Sequence, residues 1–204
     1  LNVGAGNVAM NLSTMGANVT CVGAIGDDFW GEKLISILNN KGMNTSHLEI
    51  IKNHNTTLKQ RIYSNKKQIA RLDSEKVIDW NPNLVSELNL NDYDVIILSD
   101  YNKGVLNKFI IPDTSVPVLV DPKKDDFKKY VGANIITPNL NELNKACNID
   151  IKNDQTIKDA CNKLIKKFDF DYIVAKNGSK GMIIVGKNSF DKKIDARFVE
   201  NADV

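Results

Sequence analysis

The chain has 204 residues, of which 42% are hydrophobic and 25% charged, a composition typical of a soluble globular domain. Its formal net charge is only +2, and no basic patch interleaved with aromatic residues stands out, so the sequence gives no reason to expect a nucleic-acid partner. No apolar run is long enough to span a membrane, which argues against a membrane partner. The three cysteines, Cys21, Cys147 and Cys161, share no C-x-x-C spacing, so we expect buried thiols of a reducing cytosol.

An apolar residue recurs every three or four positions near the start of the chain, which predicts a helix within residues 3–16. The residues on this face are Val8, Leu12 and Met15. Gly16 is placed to end the helix as the residue after its C-cap. Gly4 lets the backbone approach a ligand closely, and Asn7, near the helix start, is either a ligand contact or an N-cap.

The next predicted elements are a strand over Val19 to Ile25 and a helix that runs to Lys41 and is stopped by Gly42. An acidic pair, Asp27-Asp28, separates the two elements. One of these carboxylates as N-cap explains the pair without any catalytic chemistry.

From residue 48 to residue 78 the pattern changes to alternation, which predicts a β-hairpin with a turn at residues 64–67. Four charged residues, Lys59, Arg61, Arg71 and Asp73, would share one face of it, because spacings of two keep side chains on the same side of a strand. This face is either simply solvated or belongs to a lid whose cations bind an anionic substrate.

Short apolar runs without alternation predict strands that are buried on both faces of a parallel sheet covered by helices. The runs are Asp94 to Ser99, Val118 to Val120, Ile135 to Ile136, Tyr172 to Ala175 and Met182 to Val185. Helices are predicted over Asn81 to Leu90, Val105 to Ile111 and Asp154 to Phe168. The order of elements is that of a doubly wound α/β sandwich with an inserted β lid.

Polar residues follow these strands, at the sheet edge where α/β proteins bind ligands. Asp100 follows one strand, and Asp121-Pro122-Lys123 and Thr137-Pro138-Asn139-x-x-Glu142 follow the next two. A cation beside a carboxylate and a carboxamide suits a phosphate and a magnesium ion. The segment Lys176-Asn177-Gly178 follows a later strand, and its glycine suits either a tight turn or backbone N–H groups facing a phosphate.

Together these motifs resemble those of the ribokinase-like (PfkB) carbohydrate kinases, and within them most closely the D-glycero-β-D-manno-heptose-7-phosphate kinases. The resemblance rests on Gly4-Ala5-Gly6-Asn7, Thr57-x-Lys59-x-Arg61 with Arg71-Leu72-Asp73, Ser99-Asp100-Tyr101-x-Lys103-Gly104, Asp121-Pro122-Lys123 with Tyr130-x-Gly132-Ala133, and Thr137-Pro138-Asn139-x-x-Glu142. It covers nearly the whole chain. It implies one partial ribokinase-like domain over residues 1–204, with a mostly parallel sheet between helices and a β-hairpin lid at about residues 48–78.

The resemblance implies ATP-dependent phosphorylation of the anomeric hydroxyl of heptose 7-phosphate to the 1,7-bisphosphate, for ADP-heptose and lipopolysaccharide core synthesis in the bacterial cytoplasm. The implied substrate-binding residues are Gly4, Asn7, Lys59, Arg61, Arg71 and Asp100. Lys123 would act at the transferring phosphate, and the nucleotide phosphates would be bound by Asn139, Glu142, Lys176, Asn177 and Gly178. Cofactors would be ATP and Mg²⁺, with Asn139 and Glu142 organising Mg²⁺ indirectly and Asp203 as a site for a monovalent cation such as K⁺. The expected assembly is a homodimer formed through the lid.

In this family a Thr-Gly-Ala-Gly-Asp segment that carries the general base follows an aspartate such as Asp203. The sequence stops at Val204 and opens at Leu1 almost directly on a glycine loop, so both ends look cut and we expect the polypeptide as given not to catalyse. Two alternatives stay open. One is another PfkB sugar kinase, acting on ribose, fructose phosphate or a nucleoside, and the other is a non-catalytic kinase-like binding protein.

Overall fold

The computed structural model describes residues 4–65, 67–78, 80, 87–123 and 126–197. The chain divides into two compact units. Unit 1 comprises Leu1–Asn89 with Tyr101–Phe109, and unit 2 comprises Leu90–Asp100 with Ile110–Val204. The single domain expected over residues 1–204 stays a prediction.

Unit 1 begins with helix α1 (Gly4–Thr14), which confirms the helix predicted near the chain start. Gly16 follows it at a φ of +94°, the conformation expected of a residue after a helix C-cap. Strand β1 (Thr20–Gly26) and strand β2 (Asn44–Ile51) pair in parallel, and helix α2 (Phe29–Asn39) lies between them in the chain. Strand β2 is absent from the sequence-based prediction, because its first half is polar and its second half was taken as the start of the lid.

Strands β3 (Leu58–Ser64) and β4 (Lys67–Ser74) form the predicted antiparallel hairpin, called the lid hairpin below. In its register Lys59 lies opposite Asp73 and Arg61 lies opposite Arg71, so the four charged residues do share one face. The register shifts between Ile62 and Tyr63. Most side chains on both faces are exposed, including the apolar residues Ile62, Tyr63, Ile69 and Leu72.

Unit 2 is built on a six-stranded sheet in the order β5-β6-β7-β8-β9-β10. Its strands are β5 (Ile96–Ser99), β6 (Val118–Asp121), β7 (Ile135–Ile136), β8 (Tyr172–Lys176), β9 (Met182–Gly186) and β10 (Asp191–Ile194). Strands β5 to β8 run parallel, whereas β9 and β10 continue the sheet antiparallel, so the sheet is mixed with a parallel half.

Two helices accompany this sheet, α3 (Leu140–Cys147) and α4 (Asp154–Phe168), and α4 has the bounds predicted for it. Their apolar faces join the strands in one buried core. Its largest fully buried side chains are Tyr130, Phe127, Phe170, Ile136, Leu143, Ile157, Leu164 and Ile173. In β6, Val118 and Val120 lie on one face and are almost fully buried, whereas Leu119 on the other face is half-buried. The prediction of strands buried on both faces is therefore confirmed for one face of this strand only.

The helix predicted over Val105 to Ile111 is wrong. The segment forms turns in which Asn107 and Phe109 donate backbone hydrogen bonds three residues back, to Gly104 and Leu106. Seven residues before a proline are too few to sustain a helix without strong packing. The helix predicted over Asn81 to Leu90 falls mostly outside the described residues, and a short 3₁₀ turn, Leu90–Asp92, follows it.

The cysteines behave as expected of buried thiols. Cys147 and Cys161 are buried in unit 2 and Cys21 is half-buried in unit 1, and all three are free. Burial raises the pKa of Cys161 to about 12, with the neighbouring Cys147 as a second cause, so this thiol is not a nucleophile at neutral pH. Across the described ranges, no helix is both long and apolar enough to cross a membrane.

Candidate functional site

The carboxyl ends of the parallel strands β5 to β8 lie at one edge of the sheet of unit 2, because parallel strands end at the same side. Ser99 is paired with Asp121 across β5 and β6, and the Asp100 amide donates to the Asp121 carbonyl oxygen over 3.0 Å. Asn139, which follows β7, forms a parallel bridge with Lys176, the last residue of β8. The structure therefore brings the predicted residues of this unit to a common edge.

Asn139 and Glu142 form a capping box at the start of α3. The Asn139 side-chain oxygen accepts from the Glu142 amide over 2.9 Å, and the Glu142 Oε2 accepts from the Asn139 amide over 2.8 Å. This arrangement occupies two free N–H groups of the helix start and fixes both side chains. The motif therefore has a structural role, which the Asn-x-x-Glu spacing before a helix could have indicated from sequence.

The second oxygen of Glu142 faces a cation. Glu142 Oε1 lies 3.5 Å from the Lys123 ammonium, and the glutamate is only 7% exposed. The lysine side chain is about half exposed, so its charge is offered to the solvent side of this edge. The Lys123 ammonium group has three N–H donors, so it can contact the buried Glu142 carboxylate and still donate to an incoming phosphate.

A second ion pair spans the strand ends on either side of β7. Lys176 Nζ lies 2.5 Å from Asp121 Oδ1, and the Thr137 hydroxyl donates to the same oxygen over 3.0 Å. Asp121 thus holds Lys176, a residue predicted to lie along the nucleotide. Asp121 and Thr137 were not predicted to have this role, although both stand in the motifs at the ends of β6 and β7.

The buried tyrosine Tyr130 joins two more of the predicted positions. Its hydroxyl donates to Asp100 Oδ2 over 2.8 Å and accepts from the Lys123 amide over 3.4 Å. Tyr130 ends the 3₁₀ turn Phe127–Tyr130 and is 1% exposed, while Asp100 is 5% exposed. Tyr130 was recognised from sequence only as part of a motif, and its spacing from Lys123 gave no signal of this contact.

The segment after β8 is a tight turn, as one of the two sequence-based interpretations has it. Gly178 has a φ of +57°, and the Gly181 amide donates to the Gly178 carbonyl over 3.0 Å. The amides of Gly178 and Ser179 donate no hydrogen bond within the part of the chain that the structure describes. These two N–H groups are therefore available to an anion.

In unit 1, Gly4 is the first residue of α1 and has a φ of +26°. A side-chain carbon at Gly4 would lie 3.0 Å from the ring of Tyr101, so glycine makes room for that ring. Asn7 lies three residues inside the helix and is exposed. The prediction of Asn7 as an N-cap is therefore wrong, because the helix begins earlier than its side chain can reach.

The cations of the lid hairpin differ in their partners. Arg71 Nε lies 3.0 Å from Asp73 Oδ1, and Lys59 Nζ lies 3.9 Å from both Asp73 and Glu75. Arg61 makes no ion pair with any residue that the structure describes. The face thus presents one guanidinium without a counter-charge beside two cations that are partly neutralised.

Magnesium fits this chain only as an ion held mainly by other ligands. Within the described ranges, no three His, Cys, Asp or Glu side chains come close enough to hold a metal. The capping box occupies Glu142 Oε2, so Glu142 Oε1 is the carboxylate oxygen that could accept a hydrogen bond from a water molecule bound to Mg²⁺. This agrees with the usual coordination of Mg²⁺ in nucleotide sites, where phosphate oxygens and several water molecules supply most ligands and the protein supplies few. Asp203, the predicted monovalent-cation residue, lies outside the described residues.

Comparisons of the sequence point to one family. A profile of the pfkB family carbohydrate kinases matches residues 3–202. The bifunctional protein HldE of Aliarcobacter butzleri is 37% identical over 209 residues, which cover 96% of this chain and 44% of that protein. HldE of Nitratiruptor sp. is 40% identical over 192 residues, covering 89% of this chain and 41% of that protein. The chain therefore spans less than half the length of these relatives.

Solved structures give the fold. Ribokinase of Arabidopsis thaliana, complexed with ribose and ATP, matches with a TM-score of 0.70 at 17% identity, over 93% of this chain and 65% of that chain. Phosphofructokinase-2 of Escherichia coli, in complex with fructose-6-phosphate, matches with a TM-score of 0.70 at 14% identity, over 97% of this chain and 69% of that chain. The α/β fold is ribokinase-like, as the sequence predicted.

Proposed function

The chain belongs to the PfkB family of carbohydrate kinases, and on that premise we propose that its protein transfers a phosphoryl group from ATP to the anomeric hydroxyl of D-glycero-β-D-manno-heptose 7-phosphate. The product would be the 1,7-bisphosphate, a precursor of ADP-heptose for lipopolysaccharide core in the bacterial cytoplasm. The observation that carries the choice of a phosphorylated sugar is the cationic face of the lid hairpin, where Arg61 has no counter-charge in the described chain. A neutral sugar would not need it.

At the sheet edge of unit 2, the residues would bind and neutralise the nucleotide phosphates. Lys123 offers an ammonium to the transferring group. Asn177 and Gly178 start a turn in which the amides of Gly178 and Ser179, which donate no hydrogen bond in the described chain, suit phosphate oxygens. Phosphoryl transfer depends on charge neutralisation and alignment more than on covalent help, so these few groups suffice for positioning. Mg²⁺ bound with ATP would supply further neutralisation between the phosphates, with Glu142 and Asn139 in its outer surroundings.

In unit 1, the lid hairpin would bind the 7-phosphate through Lys59, Arg61 and Arg71, since guanidinium groups match phosphate oxygens in pairs. Gly4 and Asn7 would contact the sugar from α1, and Asp100 in unit 2 would accept from a sugar hydroxyl. A lid that excludes water would also limit wasteful hydrolysis of ATP.

The opposite face of the lid hairpin supports the proposal of a homodimer. Ile62 and Leu72 stand on that face and are about half exposed. Exposed apolar residues on a two-stranded sheet with open edges favour association with another surface. A second copy of the chain, packed lid to lid, would cover them.

The first test is equilibrium binding by calorimetry with the 204-residue chain. We expect heptose 7-phosphate to bind more tightly than heptose, ribose or adenosine, and ATP to bind independently. Tighter binding of a neutral sugar would favour another sugar kinase, and tighter binding of fructose 6-phosphate would favour a fructose phosphate kinase. Absence of all sugar and ATP binding would favour a non-catalytic protein.

The second test is turnover. The given sequence has no Thr-Gly-Ala-Gly-Asp segment, so we propose that the 204-residue chain binds substrate without transferring phosphate. Bisphosphate formation would be followed by phosphorus NMR, with a full-length HldE relative as the positive control. Turnover by the 204-residue chain above background would contradict the assignment of the general base to that segment.

A further inference from the structure

We infer that Tyr130 is a positioning residue of the proposed kinase site: its hydroxyl holds the Asp100 carboxylate and the start of the Lys123 loop in one fixed arrangement. This inference rests on the proposed function, because Asp100 is assigned there to the sugar and Lys123 to the transferring phosphate. Tyr130 itself touches neither ligand in this assignment and acts through the two residues that it binds.

The hydroxyl connects two different strand ends. It donates to Asp100 Oδ2 over 2.8 Å, just after β5, and it accepts from the Lys123 amide over 3.4 Å, two residues after β6. The Asp100 amide also donates to the carbonyl oxygen of Asp121 over 3.0 Å. One side chain and one backbone contact thus tie the two loops into a single unit.

Packing rather than hydrogen bonding fixes the tyrosine ring. Tyr130 is 1% exposed, and its ring lies 6.1 Å from that of Phe127 at an interplanar angle of 60°. Gly132, two residues on, has a φ of +96° and lies against Ile111, so the chain after the ring is also constrained. A hydroxyl on a ring packed in the core holds the groups bound to it in a defined position.

The packing of residue 130 in the core does not require a hydroxyl group. Phenylalanine would fill the same volume, and burying a hydroxyl costs free energy unless it is hydrogen-bonded. Here the hydroxyl donates to the side chain of Asp100, which is only 5% exposed, and hydrogen bonds to a carboxylate are stronger than those between neutral groups. Its contribution is therefore the orientation of Asp100 and of the Lys123 backbone.

The test compares Tyr130→Phe with a control variant, Tyr172→Phe. Tyr172 is half-exposed and lies at the start of β8, at the opposite end of the strand from the site, so the control removes a hydroxyl group that is remote from it. Dissociation constants for heptose 7-phosphate and for ATP are measured by calorimetry, and amide exchange is followed by mass spectrometry in the peptide that contains Asp121 to Lys123. Thermal unfolding of each variant reports any general loss of stability.

We expect Tyr130→Phe to weaken heptose 7-phosphate binding about tenfold, the effect of losing one charge-assisted hydrogen bond. ATP binding should stay within about twofold, because Tyr130 binds only the Lys123 backbone amide and Glu142 still holds the Lys123 ammonium. Exchange in the Asp121 to Lys123 peptide should accelerate, and Tyr172→Phe should change none of these. In a double-mutant cycle with Asp100→Asn, the double variant should bind the sugar phosphate no more weakly than Asp100→Asn alone, because Tyr130 acts through Asp100.

Equal weakening of both ligands together with a lower unfolding temperature would show a merely structural role and overturn the inference. Identical behaviour of Tyr130→Phe and Tyr172→Phe would also overturn it. If the wild-type chain binds no sugar phosphate, the proposed function fails, and the exchange measurement alone decides whether Tyr130 positions the Lys123 loop: faster exchange supports it and unchanged exchange refutes it.

Discussion

Arg61 and Arg71 lie directly opposite each other on the two strands of the lid hairpin. Like charges in such a cross-strand pair repel, which destabilises the hairpin. Asp73 neutralises Arg71 over 3.0 Å, whereas Arg61 has no ionic partner in the described chain. The arginine pair therefore lowers the stability of the hairpin in the absence of ligand, and a bound anion would relieve the repulsion.

Replacing Arg61 with glutamine should separate these two effects. Without ligand, we expect Arg61→Gln to leave the free energy of urea unfolding unchanged or to raise it by about 0.5 kcal/mol, because the repulsion disappears. Heptose 7-phosphate should bind about tenfold more weakly, measured by calorimetry. Arg197→Gln removes the same charge from unit 2 and should not change sugar phosphate binding, so equal losses in both variants would contradict the role of the hairpin.

The capping boxes of α3 and α4 provide a matched pair of variants. Asn139 and Asn153 both cap a helix by the same reciprocal contacts, so Asn139→Ala and Asn153→Ala should each cost about 1 kcal/mol of unfolding free energy. Only Asn139→Ala should weaken ATP binding in addition, because the Asn139 side chain is assigned to the nucleotide phosphates and that of Asn153 is not. Calorimetric titration with ATP that shows the same affinity in both variants would assign Asn139 a purely structural role.

Gly104 and Gly16 have nearly the same backbone φ, +100° and +94°, but different surroundings. A Cβ at Gly104 would lie 1.7 Å from the carbonyl oxygen of Ile78, whereas nothing lies within 4 Å of one at Gly16. We expect Gly16→Ala to cost about 1 kcal/mol for its φ alone, and Gly104→Ala to cost clearly more because the chain must shift. Urea unfolding checks this, and equal costs would show that the Ile78 segment yields easily.

Asp28 should make the free energy of unfolding fall at acidic pH. Partial burial alone would raise its pKa, but hydrogen bonds from Thr56 and from the Gly31 amide hold the pKa below the ordinary value. The stabilisation is thus fully present above the unfolded value of about 3.9 and is lost as the pH falls through the lower, folded value.

Thermal unfolding of the wild type and of Asp28→Asn between about pH 6 and pH 2.5 tests this. The wild type should lose more stability than Asp28→Asn below about pH 4, so the difference between them should shrink with acid. Asp27→Asn serves as the control, because the Asp27 side chain makes no hydrogen bond or ion pair in the described chain. If the difference in stability between the wild type and Asp28→Asn stays constant over this pH range, Asp28 is not the cause of the loss of stability in acid.

The sequence predicted most elements of this fold because their patterns are local. The alternation in the lid hairpin and the amphipathic face of α4 need no knowledge of the rest of the chain, and both were placed correctly. Strand β2 was missed because its polar first half, Asn44 to His47, shows no hydrophobic period. The segment 105–111 was misjudged because its local pattern does not show that seven residues before a proline are too few to sustain a helix without strong packing.

The candidate site was predicted in part for the same reason. Strand ends followed by polar residues are visible in a sequence, so Asp100, Lys123 and Asn139 could be named together. Contacts between residues far apart in the chain could not, and these include the Tyr130 hydroxyl with Asp100 and the Lys176 ammonium with Asp121. The motifs indicated which segments carry the site, and the structure adds which side chains hold the others in place.

The strand order of unit 2 has a consequence for how this sheet is made. Each strand from β5 to β10 pairs with its neighbours in the chain, so no strand has to be inserted between two that are already joined. Chains emerge from the ribosome N-terminal end first, and here every newly synthesised strand finds its docking edge formed by the strand before it. The connections range from residues 187–190 between β9 and β10 to residues 137–171, which contain α3 and α4, between β7 and β8. Because the entropic cost of closing a loop grows only slowly with its length, even the longest of these connections adds little to the cost of extending the sheet.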